Sequence, residues 1–141
     1  MAVVVDSTVF ITADRRGLKP LDLKIVVPDE AAMIATITAS ELLFGVHRAD
    51  SPSRRAAREA FVEAILDIFP SLPFELTIAR RHAQLGSDLR DAGVKMGDHD
   101  RLIAATALVH GFDILTDNQR EFGRVPGLVV RRPDWSLLER R

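Results

Sequence analysis

Ala2-Val3-Val4-Val5-Asp6-Ser7-Thr8 is the stretch whose reading decides the fold. Four apolar residues, three of them β-branched, are too few for a helix and carry no polar face. Such a run suits a central parallel strand covered on both sides. An acid stands at its carboxyl end, and Ser7 and Thr8 then favour a helix start. The same order of events recurs twice. Met33-Ile34-Ala35-Thr36-Ile37 is a second strand candidate, after which Thr38 or Ser40 caps a helix whose first turn holds Glu41. Phe112-Asp113-Ile114-Leu115-Thr116 is a third, followed at once by Asp117-Asn118. Leu72–Leu76 and Gly127–Val130 add short strands, and Pro73 confines the former to an edge.

Helical periodicity fills the intervals. Val9, Phe10 and Ile11 carry an apolar turn that dies at Gly17 and Pro20, while Asp22–Val27 fits either a helical turn or a strand. Pro28-Asp29-Glu30 reads as a break. Ala56–Phe69 sets Ala57, Phe61, Ala64, Ile65 and Ile68 on one face and charged residues on the other. Thr77 opens a helix through Ile78, His82, Leu85 and Leu89, and Asp98–His110 is a helix closed by Gly111. Strands alternating with helices mean βαβ units, so the spacing predicts an α/β fold: a three-layer α/β/α sandwich around a mostly parallel sheet. Residues 1–132 form one domain in this reading, and 133–141 a loose tail. Ligands of such sheets bind beyond the carboxyl ends of the strands.

The 141 residues are 47% hydrophobic and 28% charged, an ordinary globular balance with enough chain for a real core. Cysteine is absent, which removes disulfides, thiolate zinc sites and a cysteine nucleophile and suits a reducing cytoplasm. The first apolar run has no basic leader and ends at Asp6, so a signal peptide is not expected. No apolar stretch approaches the ~20 residues of a membrane span. A formal net charge of −1 does not advertise a nucleic-acid binder. Arginine, however, outnumbers lysine sixteen to three, and pairs such as Arg15-Arg16, Arg54-Arg55, Arg80-Arg81 and Arg131-Arg132 favour planar contacts to phosphate.

The acids then need placing. Asp6, Glu41 and Asp117 should project from one edge of the sheet, and Asp100 joins them if its helix starts above that edge. Asp98 and Asp100 also suit a first helical turn, where acids complement exposed N–H groups and the helix dipole. Two bare carboxylates ~4 Å apart repel by roughly 4 kcal/mol at an effective dielectric of ~20. A domain has only about 5–15 kcal/mol of stability in all. Clustered acids therefore stay apart, take up protons or share a cation. All-oxygen ligands select a hard ion, Mg²⁺ or Mn²⁺, which keeps activatable waters and neutralises phosphate charge.

Four segments, VVVDST, ITASELLFGV, DRLIAATAL and ILTDNQREF, in this order and at these intervals, resemble the PIN domain and, more narrowly, the VapC-type toxins of bacterial toxin–antitoxin pairs. The resemblance runs from about Val3 to Val130. It implies a metal-dependent endoribonuclease that hydrolyses RNA phosphodiester bonds, a homodimer, and a cognate antitoxin that inserts into the acidic cleft. The family's acids fall on Asp6, Glu41 and Asp100. The fourth position falls on Asp117 or on Asn118, which lies two residues after the strand's Thr; the acid Asp117 is assigned, with Asn118 as its partner. Ser7 and Thr116 match the small hydroxyl positions of the cleft. Asp98 has no counterpart and is expected to cap its helix. On this pattern Asp6 and Asp100 ligate Mg²⁺ (or Mn²⁺), Glu41 and Asp117 complete the site, and arginines at the rim hold the RNA backbone.

Rival readings lack their residues. A haloacid-dehalogenase-like phosphatase needs a second Asp two positions after the first, where Thr8 stands. A receiver domain needs a Lys after a late strand. There is no glycine-rich phosphate loop and no G-x-S-x-G elbow. His47, His82, His99 and His110 show no ligand spacing; His99 lies beside the acids on an exposed helix position, and Trp135 is expected to pack on the surface. The alternative that survives is a catalytically inactive PIN-fold module that binds RNA or protein, its acids serving caps and salt bridges.

Overall fold

The computed structural model describes residues 2–27 and 31–139. Strand β1 (Ala2–Val5) is the centre of the sheet, and its alternation feeds two cores: Val3 and Val5 enter one, Val4 the other. With β2 (Ala31–Ala35), β3 (Ser71–Leu72), β4 (Asp113–Leu115) and β5 (Val130–Arg131), it forms a five-stranded sheet in the order β3-β2-β1-β4-β5. Every pairing is parallel. The Asp6 N–H donates to the Leu115 carbonyl at 2.9 Å, so the β1–β4 ladder runs one residue past the strand, to the first candidate acid.

Helices cover both faces. On one side lie α1 (Ser7–Arg15), α2 (Leu23–Val26), α3 (Thr36–His47) and α4 (Pro52–Ile68), contributing Phe10, Leu23, Leu42, Val46, Val62 and Ile65 to the first core. On the other lie α5 (Leu76–Asp91), α6 (Asp98–His110) and α7 (Gln119–Phe122), with Leu85, Leu89, Ile103 and Phe122 in the second. Ala104 and Ala107 are fully buried, so α6 packs closely on the sheet. Gly111 ends α6 in the left-handed region, φ 68°, where a side chain would be strained. The α/β/α sandwich expected from the sequence is the fold observed. Among the described residues, no helix is long and apolar enough to cross a membrane.

Several local expectations are corrected. The second strand stops at Ala35, because Thr36 begins α3 while its hydroxyl donates to the Leu72 carbonyl of β3 at 2.7 Å. Glu41 therefore stands in the second turn of α3, whose first turn holds no acid. Strand β3 keeps only two residues, since α5 already starts at Leu76. Asp22–Val27 is helical: a 3-10 turn at Pro20–Asp22 leads into α2. The last strand lies at Val130–Arg131, later than expected. The break at Pro28–Glu30 and the final Arg140 and Arg141 lie outside the described residues. Residues 133–139 are not loose. Trp135 is only 9% exposed, Leu138 packs on the first core, and Ser136–Glu139 form α8.

Candidate active site

Asp6 occupies the N-cap position of α1, yet its side chain makes no capping bond. The bland role for this acid is thereby removed. Its Oδ2 instead accepts from Thr8 Oγ1 at 2.7 Å and from Thr116 Oγ1 at 2.8 Å. Its Oδ1 is buried with no partner among the described residues, on a residue only 1% exposed. An unpaired buried carboxylate oxygen is costly and calls for a cation or a proton.

Glu41 and Asp100 join Asp6 above the sheet edge. Glu41 Oε1 is likewise buried without a partner among the described residues, while Oε2 lies 3.6 Å from His99 Nδ1. Burial lifts the Glu41 carboxyl above the ordinary carboxylate range; His99 opposes the rise, and the negative charges of Asp6 and Asp100 add to it. Asp100 is the third residue of α6, where the helix dipole favours the ionised form. It is nevertheless pushed up to about 6, first by burial, then by Asp6 and Glu121, with His99 again opposing. Burial and mutual repulsion outweigh the helix end. Three acids far apart in sequence thus share one electrostatic neighbourhood.

Asp117 is placed differently. Its Oδ1 accepts from the Trp135 indole N–H at 2.9 Å and its Oδ2 from Thr12 Oγ1 at 2.9 Å. It is not among the charges that lift Glu41 or Asp100. Asn118 is the exposed N-cap of α7, and its backbone N–H donates to Thr116 Oγ1 at 2.9 Å. Ser7 is buried at the first position of α1, and Thr116 is fully buried against Asp6. Asp98, 76% exposed, does not cap α6 as expected, since its carboxylate pairs with Arg101, whose Nε–H donates to His82 Nε2 on α5 at 3.0 Å.

Four residues of this neighbourhood escape sequence reasoning. Glu121, on α7, reads as a turn residue before Phe122 yet contributes charge at Asp100. Thr8, Thr12 and Trp135 act through hydrogen bonds spanning up to 109 positions. Only the Asp-Ser-Thr run offers a signal, since a hydroxyl two residues past an acid can reach back to it.

The donor set suits a hard divalent cation. Two carboxylate oxygens are buried and unsatisfied, and Glu41 and Asp100 are held above their usual pKa first by burial and then by neighbouring acids. Among the described residues, no three His, Cys, Asp or Glu side chains close into a finished metal cage. Magnesium does not need one, since it is commonly held by one or two carboxylates with water and phosphate filling its other positions. Beside Glu41, Phe10, Ile11, Leu42 and Phe61 line a groove of ≈ 260 Å³ between α1, α3 and α4, with Arg15 and Arg58 at its wall.

Residues 3–128 match the family model of the PIN domain. The chain is 34% identical to Ribonuclease VapC1 of Rickettsia felis over 130 residues, spanning 92% of this chain and 95% of that protein. The structure of VapBC2 from Rickettsia felis, bound to a DNA fragment from their promoter, superposes with a TM-score of 0.83 at 20% identity, over 95% of this chain and all of that one (100%). VapBC-5 from Mycobacterium tuberculosis, a member of the VapBC family of toxin-antitoxin systems, gives 0.73 at 28% identity, over 94% of this chain and 97% of that one. A fold, an acid-lined strand edge and a near full-length match agree: the chain belongs to the PIN domain family and, within it, to the VapC proteins.

Proposed function

We propose that the chain is a divalent-metal-dependent endoribonuclease, the toxin of a toxin–antitoxin pair, working at the cluster of Asp6, Glu41 and Asp100. The observation that carries the reading is the pair of buried oxygens without a partner among the described residues, Asp6 Oδ1 and Glu41 Oε1, where burial and then the charges of Asp6 and Asp100 lift the Glu41 carboxyl. Kinship with Ribonuclease VapC1 supports RNA as the substrate class. Kinship with VapBC toxin-antitoxin proteins supports an antitoxin partner.

Asp6 and Asp100 are the residues that would hold Mg²⁺ or Mn²⁺, with Glu121 adding charge behind Asp100. Such an ion, when bound, supplies positive charge against a phosphate and a more acidic water. Glu41, lifted by burial and by its neighbours, is suited to take a proton at Oε1 from an attacking water, with His99 orienting the other oxygen. Arg15 and Arg58, at the wall of the groove beside Glu41, are placed to hold the RNA backbone. The same groove, apolar with a carboxylate at one side, offers an antitoxin segment a seat from which to block the acids. A homodimer belongs to the same proposal, and light scattering of the purified protein checks it.

The rival, a non-catalytic binding module, draws support from one observation, the lack of a finished metal cage among the described residues. Cleavage of total bacterial RNA decides between them. Wild type should cut in Mg²⁺ or Mn²⁺ and stop in EDTA. Asp6→Asn and Asp100→Asn should each lose about a thousandfold, the worth of roughly 4 kcal/mol of transition-state stabilisation. Undiminished cutting by both variants would sink the metal mechanism. No cutting by wild type, together with no Mn²⁺-induced rise in melting temperature, favours the module.

A further inference from the structure

We propose that Asp117 is a positioning residue, not a metal ligand: with Thr8, Thr12 and Trp135 it fixes the carboxylate of Asp6 so that Oδ1 is the oxygen left for the cation. This rests on the metal-nuclease reading of the cluster and assigns a task to the acid that the cluster does not use.

Counting protons gives the network its direction. A threonine hydroxyl has one proton to give and two lone pairs. The Asp117 backbone N–H can only donate, and it donates to Thr8 Oγ1 at 3.2 Å. Thr8 therefore accepts there and spends its proton on Asp6 Oδ2 at 2.7 Å. Thr116 spends its own on the same oxygen at 2.8 Å and accepts from the Asn118 N–H at 2.9 Å. Two hydroxyls on one oxygen lock the rotation of the carboxylate. The other oxygen is left buried and partnerless.

Asp117 holds this arrangement from behind. Its carboxylate is itself gripped, by Thr12 from α1 on Oδ2 and by Trp135 on Oδ1. Trp135 is anchored in the first core and lies under the guanidinium of Arg16, 5.1 Å from the ring centroid. A cation on Asp117 would compete with an indole and a hydroxyl that already use its oxygens. The loop after β4, the first turns of α1 and residues 133–139 thus form one brace under Asp6. Residues that orient a metal ligand without touching the metal typically cost 10–100-fold in affinity or activity when lost.

The test titrates the purified full chain with Mn²⁺ alone and records cleavage of total bacterial RNA and melting in EDTA. Thr8→Val should weaken Mn²⁺ binding and slow cleavage by about tenfold or more, and Thr8→Ser should restore both. Asp117→Asn and Trp135→Phe should move Mn²⁺ affinity and cleavage the same way, by smaller factors. Asp6→Asn serves as the reference and should show the largest loss of both. Asp117→Asn losing Mn²⁺ binding as fully as Asp6→Asn would make it a ligand and overturn the proposal. Wild-type Mn²⁺ affinity in Thr8→Val, Asp117→Asn and Trp135→Phe overturns it too, including when their melting temperatures fall, because the brace is then structural only. Wild-type binding and cutting by Asp6→Asn instead removes the nuclease reading itself, a distinct result that takes this proposal with it.

Discussion

Asp6 and Asp117 stand just past the ends of adjacent parallel strands, β1 and β4, whose last residues Val5 and Leu115 are in register. Their carboxylates meet opposite fates. Asp6 keeps one oxygen bare and buried. Asp117 commits both of its oxygens to neutral donors. The strand edge brings an acid to the cleft, but the donors around it decide whether it remains available to a cation. At Asp6 the two hydroxyls crowd onto one oxygen; at Asp117 the two donors take one oxygen each. Asp6 stands one residue past its strand and Asp117 two past its own, and that offset places the second acid among donors that use both of its oxygens.

The largest effect that could break this contrast is at the brace itself. Trp135→Ala removes a ring that is 9% exposed and bonded to Asp117. Truncating a buried Phe or Trp typically costs about 3–5 kcal/mol, and the lower end is expected here because the site lies near the surface. Urea unfolding measures it. A loss under ~1 kcal/mol would mean that residues 133–139 do not hold Asp117 in place.

The open half of the contrast has a pH signature. A carboxyl whose folded pKa lies above its unfolded value binds more protons when folded, so stability falls as pH rises through that interval. For Asp100, pushed from 3.8 up to about 6, the penalty is absent below about pH 4 and complete above about pH 6. Glu41 is shifted in the same direction and adds to it. In EDTA, Asp100→Asn should therefore be more stable than wild type at pH 7, by roughly 1–2 kcal/mol once solvent screening of a half-exposed group is allowed for. The advantage should vanish by pH 4. Mg²⁺ requires the deprotonated acids, so the rise in melting temperature that it causes should be larger at pH 7.5 than at pH 5. A flat difference between variant and wild type from pH 4 to 7 would show that ionising Asp100 costs the folded protein nothing, whether through burial or through the neighbouring acids.

How much of this was legible in the sequence follows from the range of the forces involved. Helix α6 runs from Asp98 to His110 as its local pattern indicates and ends where Gly111 turns the chain, although Asp98 makes no cap bond and pairs with Arg101. β1 was legible from three adjacent valines, and the α/β/α layering from the alternation of periods. The approach of Asp6 and Glu41 followed from topology, since residues beyond parallel strands share an edge, whereas Asp100 joined only on the condition that α6 starts above that edge. What failed was decided by distant atoms. The start of α3 at Thr36 depends on the Leu72 carbonyl. The task of Asp117 depends on Thr12 and Trp135, 105 and 18 positions away. Glu121 gains its importance only from the charge of Asp100 nearby. No periodicity encodes such pairings.

The smallest effect sharpens the contrast by testing whether Asp100 needs bracing as Asp6 does. The Arg101 guanidinium lies across Gly86 of α5, bonded to His82 Nε2 at 3.0 Å and paired with Asp98. A methyl group at residue 86 would collide with that guanidinium, which is the free end of a flexible side chain and can swing away. Gly86→Ala in a helix interior gains up to about 1 kcal/mol in propensity. Losing partly exposed bonds from Arg101 costs about as much. Net stability should therefore change by less than about 0.5 kcal/mol. Cleavage should not change, because Asp100 is held by its place in the first turn of α6 and by burial, not by the arm of its neighbour. A Gly86→Ala protein with unaltered melting but sharply weaker Mn²⁺ binding would show that Arg101 sets Asp100 as the Asp117 brace sets Asp6, and that both acids are positioned from behind.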